Sequence, residues 1–425
     1  MKCRVAFALV IGLSSSCAAA LAAPTLVSAH RIGTNAAMTM VIGDVESYTG
    51  DVGALGAPAD KAIKLAVQQL NSAAKADGIK MKFKLVTADD QSSAQTAVTA
   101  AEKLVGEGAS CLTGPEITPN AIAILDSVTL AKDIPMFPEA TSVALRAVAD
   151  NHTIWRTAPP DSLQAGALVA AVKANLHGAK GKTVAIGYQN IPYGAGIAAA
   201  FKAGWTKLGG VITADVGYNP GQPSYDSVAT AIVQGNPDAY VFSDYPQTFA
   251  TVADALLRTG SFHADRLFVS DALAVSPIPS GMPPAALNGA EATYAGTPDG
   301  TPQAKAFNKL YARSSGPKTG SLNGNEFDSG VLCGLAAIAA ASTVPSKINA
   351  EIRQISGPKG AQFSYLKLAA AMKAVRNGER IHYEGVSGPI DFNSVGDTTS
   401  ALYDISTWRT NRLVLIRQIE ARPTK

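Results

Sequence analysis

Cysteine and histidine are scarce in this chain, four and five residues, with no CxxC pair and no Cys/His cluster. A zinc-type site is built from such clusters, so no metal centre is expected. Charged residues make up 16% and aromatics only 6%, while alanine and glycine abound. That composition suits a tightly packed α/β protein and argues against disorder. Past the N-terminus, no segment approaches the ~18 uninterrupted apolar residues that a membrane helix needs, so the processed chain is expected to be soluble. A basic excess is missing too. Without Lys2 and Arg4, 34 basic residues face 33 acidic ones, a formal charge of +1. A near-neutral protein has no electrostatic footprint for nucleic acid or an anionic membrane.

Several chemistries lack their motif. There is no GxxxxGK[ST] phosphate loop and no GxSxG nucleophile elbow. The glycines of YTGDVGALG, Gly50, Gly53 and Gly56, are spaced GxxGxxG rather than GxGxxG, with no lysine or arginine among them. Neither a nucleotide cofactor nor an enzyme is expected. Asp89 and Asp90 are adjacent and point different ways, so they read as a solvated turn rather than an acid/base pair.

What is present starts with MKCRVAFALVIGLSSSCAAALAA. Lys2 and Arg4 precede nine apolar residues, Val5 to Leu13, and Ala20-Leu21-Ala22 offers a small-residue cleavage site. Residues 1–23 therefore read as a signal peptide for export to the periplasm. A lipid anchor on Cys17 is disfavoured, because Ser14 stands where a large apolar residue is preferred. Cys111 and Cys333 remain after processing; export permits a disulfide, and spacing leaves two buried thiols equally open.

From residue 38 onward, short apolar runs alternate with alanine-rich helical patterns. Strands are read at 38–45, 83–87, 109–114 and 134–138, with helices at 57–71, 92–108 and 118–133, where Thr118 is a plausible N-cap. A second series runs from the helix at 161–178 to the strand at 266–272. The fold class is α/β, with two doubly wound lobes built on parallel sheets. In such sheets ligands bind at the strand ends. The loops there carry small polar groups: Thr118, Thr141, Tyr193, Tyr245 and Asp271. A hydroxyl at a helix N-terminus suits a carboxylate, and Asp271 could receive an ammonium group. Each residue alone could equally serve as a cap or in packing.

These segments together resemble the type I periplasmic solute-binding proteins of the leucine/isoleucine/valine-binding family, which serve ABC importers. The resemblance rests on TGDVGALG followed by AVQQLN, DDQSSAQTAVTAAEKLV, GPEITPNA, PEATSVAL, WRTAPPDSLQ, YGAGIAAAFKAGWTKLGG and GVSGPIDFNSVGD, in that order. It implies lobes of residues 31–158 plus 292–385 and 159–291 plus 386–425, joined by three hinge crossovers around a ligand cleft. It implies that Thr118, the backbone near Ala140 and Thr141 bind a ligand carboxylate, that Tyr193 and Tyr245 wall the cleft, that Asp271 binds the ammonium, and that Asp161 lies near the hinge. Leu55 replaces a pocket aromatic and Glu116 an apolar pocket residue. A buried unpaired carboxylate is costly, so Glu116 either points to solvent or meets a polar or cationic ligand group. The implied function is capture of a small polar solute, an amino acid above others, by a monomer that delivers it to a permease. A sensor of amides, urea or aromatic acids is the alternative.

Overall fold

The computed structural model describes residues 37–316 and 322–422. The signal-peptide segment, Cys17 and residues 31–36 of the expected first lobe lie outside them. The first half of the chain runs β1 (Met38–Glu46), α1 (Gly53–Ala76), β2 (Met81–Asp89), α2 (Ala94–Gly106), β3 (Ala109–Thr113), α3 (Thr118–Ile124) and β4 (Met136–Phe137). It continues with α4 (Asp161–Asn175), β5 (Thr183–Gln189), α5 (Pro192–Lys207), β6 (Val211–Tyr218), α6 (Asp226–Val233), β7 (Ala239–Ser243), α7 (Pro246–Arg258), β8 (Leu267–Val269) and β9 (Glu291–Ala295). Then follow α8 (Pro302–Arg313), α9 (Asn323–Ala340), α10 (Pro345–Ile355), β10 (Ala361–Ser364), α11 (Leu368–Arg376), β11 (Ile381–Glu384), β12 (Ala401–Arg409) and β13 (Arg412–Ala421).

The strands form two main sheets. The first, in the order β2-β1-β3-β4, is wholly parallel. The second runs β13-β12-β9-β8-β7-β5-β6, parallel from β6 to β9 and antiparallel beyond. Both faces of the first sheet are covered, as parallel strands require. Met40 and Ile42 of β1 face one apolar cluster with α1 and α9, whereas Val41 and Val45 face another with α2 and α3. Helix α9 is buried from Asn323 to Ala339. A Cβ on Gly330 or Gly334 would come within 2.5 Å of Ile63 or Leu70, so these glycines let α1 lie against α9.

The sequence reading places these elements well and some of their ends badly. Helix α1 begins at Gly53, not 57, so Gly53 and Gly56 lie inside it. Gly56 is needed for close approach, because a Cβ there would sit 2.3 Å from the Ser47 carbonyl oxygen. Thr118 is not an N-cap: Ile117 occupies that position and no side chain caps the helix. The expected division at 291/292 meets the start of β9, which pairs with β8 and β12 and so belongs to the second sheet. Asp90 is fully buried rather than solvated, and it accepts hydrogen bonds from Ser47 and Asn120.

Three passages link the two sheets: between β4 and α4, between β9 and α8, and between β11 and β12. Arg156 in the first passage and Asp397 in the third are bonded through Nε at 2.7 Å. The same guanidinium donates to the carbonyls of Thr141 and Ser142, each at 2.8 Å. Burial alone would raise the pKa of Asp397, but Arg156 and Arg146 outweigh it and hold the carboxyl below its ordinary value. Removing one partner of a buried pair costs ~3–5 kcal/mol, so Arg156→Ala is expected to destabilise the protein by about that amount in denaturant unfolding.

Cys111 of β3 and Cys333 of α9 form a disulfide across 222 residues, with both sulfurs buried. The chain-entropy account of so long a loop gives about 5 kcal/mol. The paired Cys111→Ser/Cys333→Ser variant should melt well below the oxidised protein. A thiol assay of the unfolded, unreduced chain should find this pair unreactive.

Candidate functional site

The carboxyl ends of the strands in both sheets face one shared pocket. The first sheet contributes Val52 and Leu55 from the start of α1, Glu116 after β3, and Glu139 and Thr141 after β4. The second contributes Tyr193 after β5, Tyr245 after β7, and Asp271 and Ala272 after β8; Leu322, before α9, completes the lining. Apart from Leu322, each position follows from a parallel strand ending and turning toward the next helical segment.

The second-sheet wall is tightly built. The rings of Tyr193 and Tyr245 stack with centroids 5.2 Å apart and planes 1° from parallel. The Tyr193 hydroxyl donates to Asp271 Oδ1 at 2.6 Å and lies 2.7 Å from Ser270 Oγ. Asp271 also accepts from the Ala272 amide at 3.0 Å. Burial raises the Asp271 pKa, and these hydrogen bonds offset part of that rise. Asp161, at the start of α4, is almost fully buried, and burial together with the Asp271 charge pushes its pKa to about 8.

The first-sheet wall is acidic. Both Glu116 oxygens and Glu139 Oε1 are buried with no hydrogen bond of ordinary geometry. Burial, reinforced by neighbouring carboxylates, pushes both acids well above their usual range. Glu116 therefore turns inward, which answers the alternative left open by the sequence. Asp44, Glu46 and Glu326 stand behind these two, fully buried. The rim is closed by Asp51, which accepts from the Thr248 amide and Gln189 Nε2, both at 3.1 Å, and so latches the loop after β1 to the N-terminus of α7.

Of the expected site residues, Leu55, Glu116, Thr141, Tyr193, Tyr245 and Asp271 line the pocket. Thr118 and Ala140 do not. The Thr118 hydroxyl is buried without a partner, and the Ala140 amide donates to the Pro115 carbonyl at 3.1 Å. Sequence reasoning missed Glu139, although it lies within the quoted PEATS. It also missed Asp44 and Glu46, whose signal is two acids at alternate positions of an otherwise apolar strand.

The sequence profile described as periplasmic binding protein matches residues 39–410. The chain belongs to the periplasmic binding protein family. Its members are binding proteins rather than enzymes. Leu/Ile/Val-binding protein homolog 3 of Brucella melitensis is 30% identical over 209 residues, 48% of this chain and 54% of that one. The match thus spans about half the length of the curated relative. A leucine-binding protein from Thermotoga maritima superposes with a TM-score of 0.73 at 20% identity, covering 89% of this chain and 98% of the other. A solute-binding protein of an R. palustris ABC transporter, solved with 4-hydroxybenzoate, gives 0.69 at 16% identity, covering 91% and 98%. At these identities the two structures establish the fold alone: the two-lobed type I architecture.

The buried acids make a directional prediction. A carboxyl whose folded pKa exceeds its unfolded value holds its proton more firmly in the folded state. For Asp161 that contribution is full below its ordinary 3.8 and is lost as pH rises through about 8. Glu116, Glu139 and Asp271 shift in the same direction. The solute-free protein should therefore melt several degrees higher at about pH 5 than at about pH 8, and Asp161→Asn should flatten that slope in calorimetry. A melting temperature that falls on acidification over this range would contradict the assignment.

Proposed function

We propose that this protein is exported by its first 23 residues, captures a small polar solute carrying an amino group, above all an amino acid, and delivers it to an ABC-type permease. It acts as a monomer whose two lobes close on the solute. The first lobe is built on β1–β4 with α8–α11, and the second on β5–β9 with β12 and β13. The observation that carries the reading is the buried Asp271 carboxylate beside the stacked Tyr193 and Tyr245, placed to receive an ammonium group. Thr141 lies across the pocket from it and offers a hydroxyl to the solute's carboxylate. Glu116 and Glu139 favour a polar or basic side chain over leucine.

Stacked tyrosines also suit an aromatic acid, the class seen in the R. palustris neighbour. Such an acid without an amino group would meet Glu116, Glu139 and Asp271 with no positive charge of its own. The amino-bearing solute is therefore preferred.

A thermal-shift panel of amino acids with 4-hydroxybenzoate decides between them. A ligand at 100 times its Kd stabilises by about 2.7 kcal/mol. A polar or basic amino acid should raise the melting temperature by several degrees, and Asp271→Asn should remove the shift. Stabilisation by 4-hydroxybenzoate alone would reverse the choice. No shift with any of these compounds would refute capture of an amino acid.

A further inference from the structure

Behind the pocket, three carboxylates from opposite ends of the chain converge. Asp44 and Glu46 lie two residues apart on β1, so their side chains share one face of the strand. Glu326 comes from α9. One oxygen from each lies within 4.8 Å of the others, and all three residues are completely buried. Thr113 donates to Asp44 Oδ1 at 2.7 Å. The other five oxygens, Asp44 Oδ2 and both of Glu46 and Glu326, accept no hydrogen bond of ordinary geometry.

The three residues are enclosed, and the charges acting on them come from carboxyls: Asp44 most strongly on Glu46 and Glu326, with Asp60, Glu116 and Glu139 adding to it. Such a gathering of unpaired buried charge is among the most expensive arrangements a fold can hold. A second observation concerns Gly114, in the loop after β3. Its φ is +100°, and a Cβ there would stand 2.8 Å from both Asp44 Oδ1 and Glu46 Oε1. The Gly114 backbone therefore lies directly against the carboxylates, where no side chain fits. Glu139, which lines the pocket, also has its Oε1 buried and unpartnered, and its charge acts on Glu326.

We propose that Asp44, Glu46 and Glu326 form a binding site for a hard, multiply charged metal cation behind the solute pocket. Calcium-sized cations take carboxylate oxygens at ~2.3–2.6 Å, and a single ion at that distance reaches oxygens separated by up to 4.8 Å. Oxygen-only donors select the calcium, magnesium and manganese class over zinc or copper. Three carboxylates match a divalent or trivalent charge. The site was invisible to a search for Cys/His clusters, because its donors are all carboxylates and 280 residues separate Glu46 from Glu326.

Terbium(III), a hard trivalent cation that substitutes for calcium, provides the probe. Tyr48 lies close enough to feel the charges of Asp44 and Glu46, so it can sensitise bound terbium. Chelator-stripped protein titrated with terbium should give saturable, one-to-one tyrosine-sensitised emission. Calcium should compete, and the melting temperature should rise with either ion. Glu46→Gln and Glu326→Gln should each weaken binding by about tenfold or more. Each variant also removes a repelling charge, so it should melt no lower than the metal-free parent, which separates lost binding from lost folding. Emission that does not saturate, or that saturates equally in both variants, would overturn the site. Stabilisation by arginine or a diamine but by no metal ion, lost in the same variants, would assign the cluster to an organic cation and defeat the metal proposal.

Discussion

A buried arginine holds this fold and its pocket in register. Arg156 is fully enclosed, and its planar guanidinium ties the first passage between the sheets to the third through Asp397. The same group grips the carbonyls of Thr141 and Ser142, just beyond Glu139 in the loop that lines the pocket. A point charge on a flexible stem could not satisfy these directions at once; the rigid fork of arginine can. The hinge and one wall of the site are thus fixed by a single side chain. Nearby, Thr157 and Asn325 exchange hydrogen bonds between the first passage and α9, which extends the same clamp.

Against this rigid frame, the pocket stores unfavourable electrostatics. Asp161 and Asp271 on one side and Glu116 and Glu139 on the other have little solvent to screen them. A protein optimised only for stability would replace them with apolar residues of similar volume. Their presence at the meeting point of two sheets is the kind of local conflict that functional sites carry. It also sets the character of what binds: a group that brings positive charge relieves the repulsion, and one that brings only negative charge adds to it. The Asp51 latch to α7 supplies closure from outside the pocket.

Much of the architecture was legible because it is written locally. The alternation of apolar runs and alanine-rich helices identifies the strands and helices before any contact is known. In parallel sheets the strand ends must carry the ligand, so Thr141, Tyr193, Tyr245 and Asp271 could be picked out as loop residues following strands. The failures were also physical. Helix α1 starts early because its first turn packs against the Ser47 backbone, a contact that only Gly56 permits. Thr118 sits one position inside its helix with its hydroxyl buried, and the Ala140 amide is consumed by Pro115; neither fact has a signature in the local pattern. The expected boundary at 291/292 falls within β9, whose partners, β8 and β12, lie on either side of it in the chain.

The sequence by itself determined the periodicity, the parallel α/β class and the loops that could reach a ligand, since each depends on residues within one turn or strand of one another. Tertiary structure alone decided that Cys111 meets Cys333, that Glu116 faces inward and that Asp44, Glu46 and Glu326 share one buried space. Those outcomes depend on how α9 seats against β1 and β3, which is set by packing between segments more than 200 residues apart. A one-residue change in that seating would turn Glu326 elsewhere, and no local pattern records the choice.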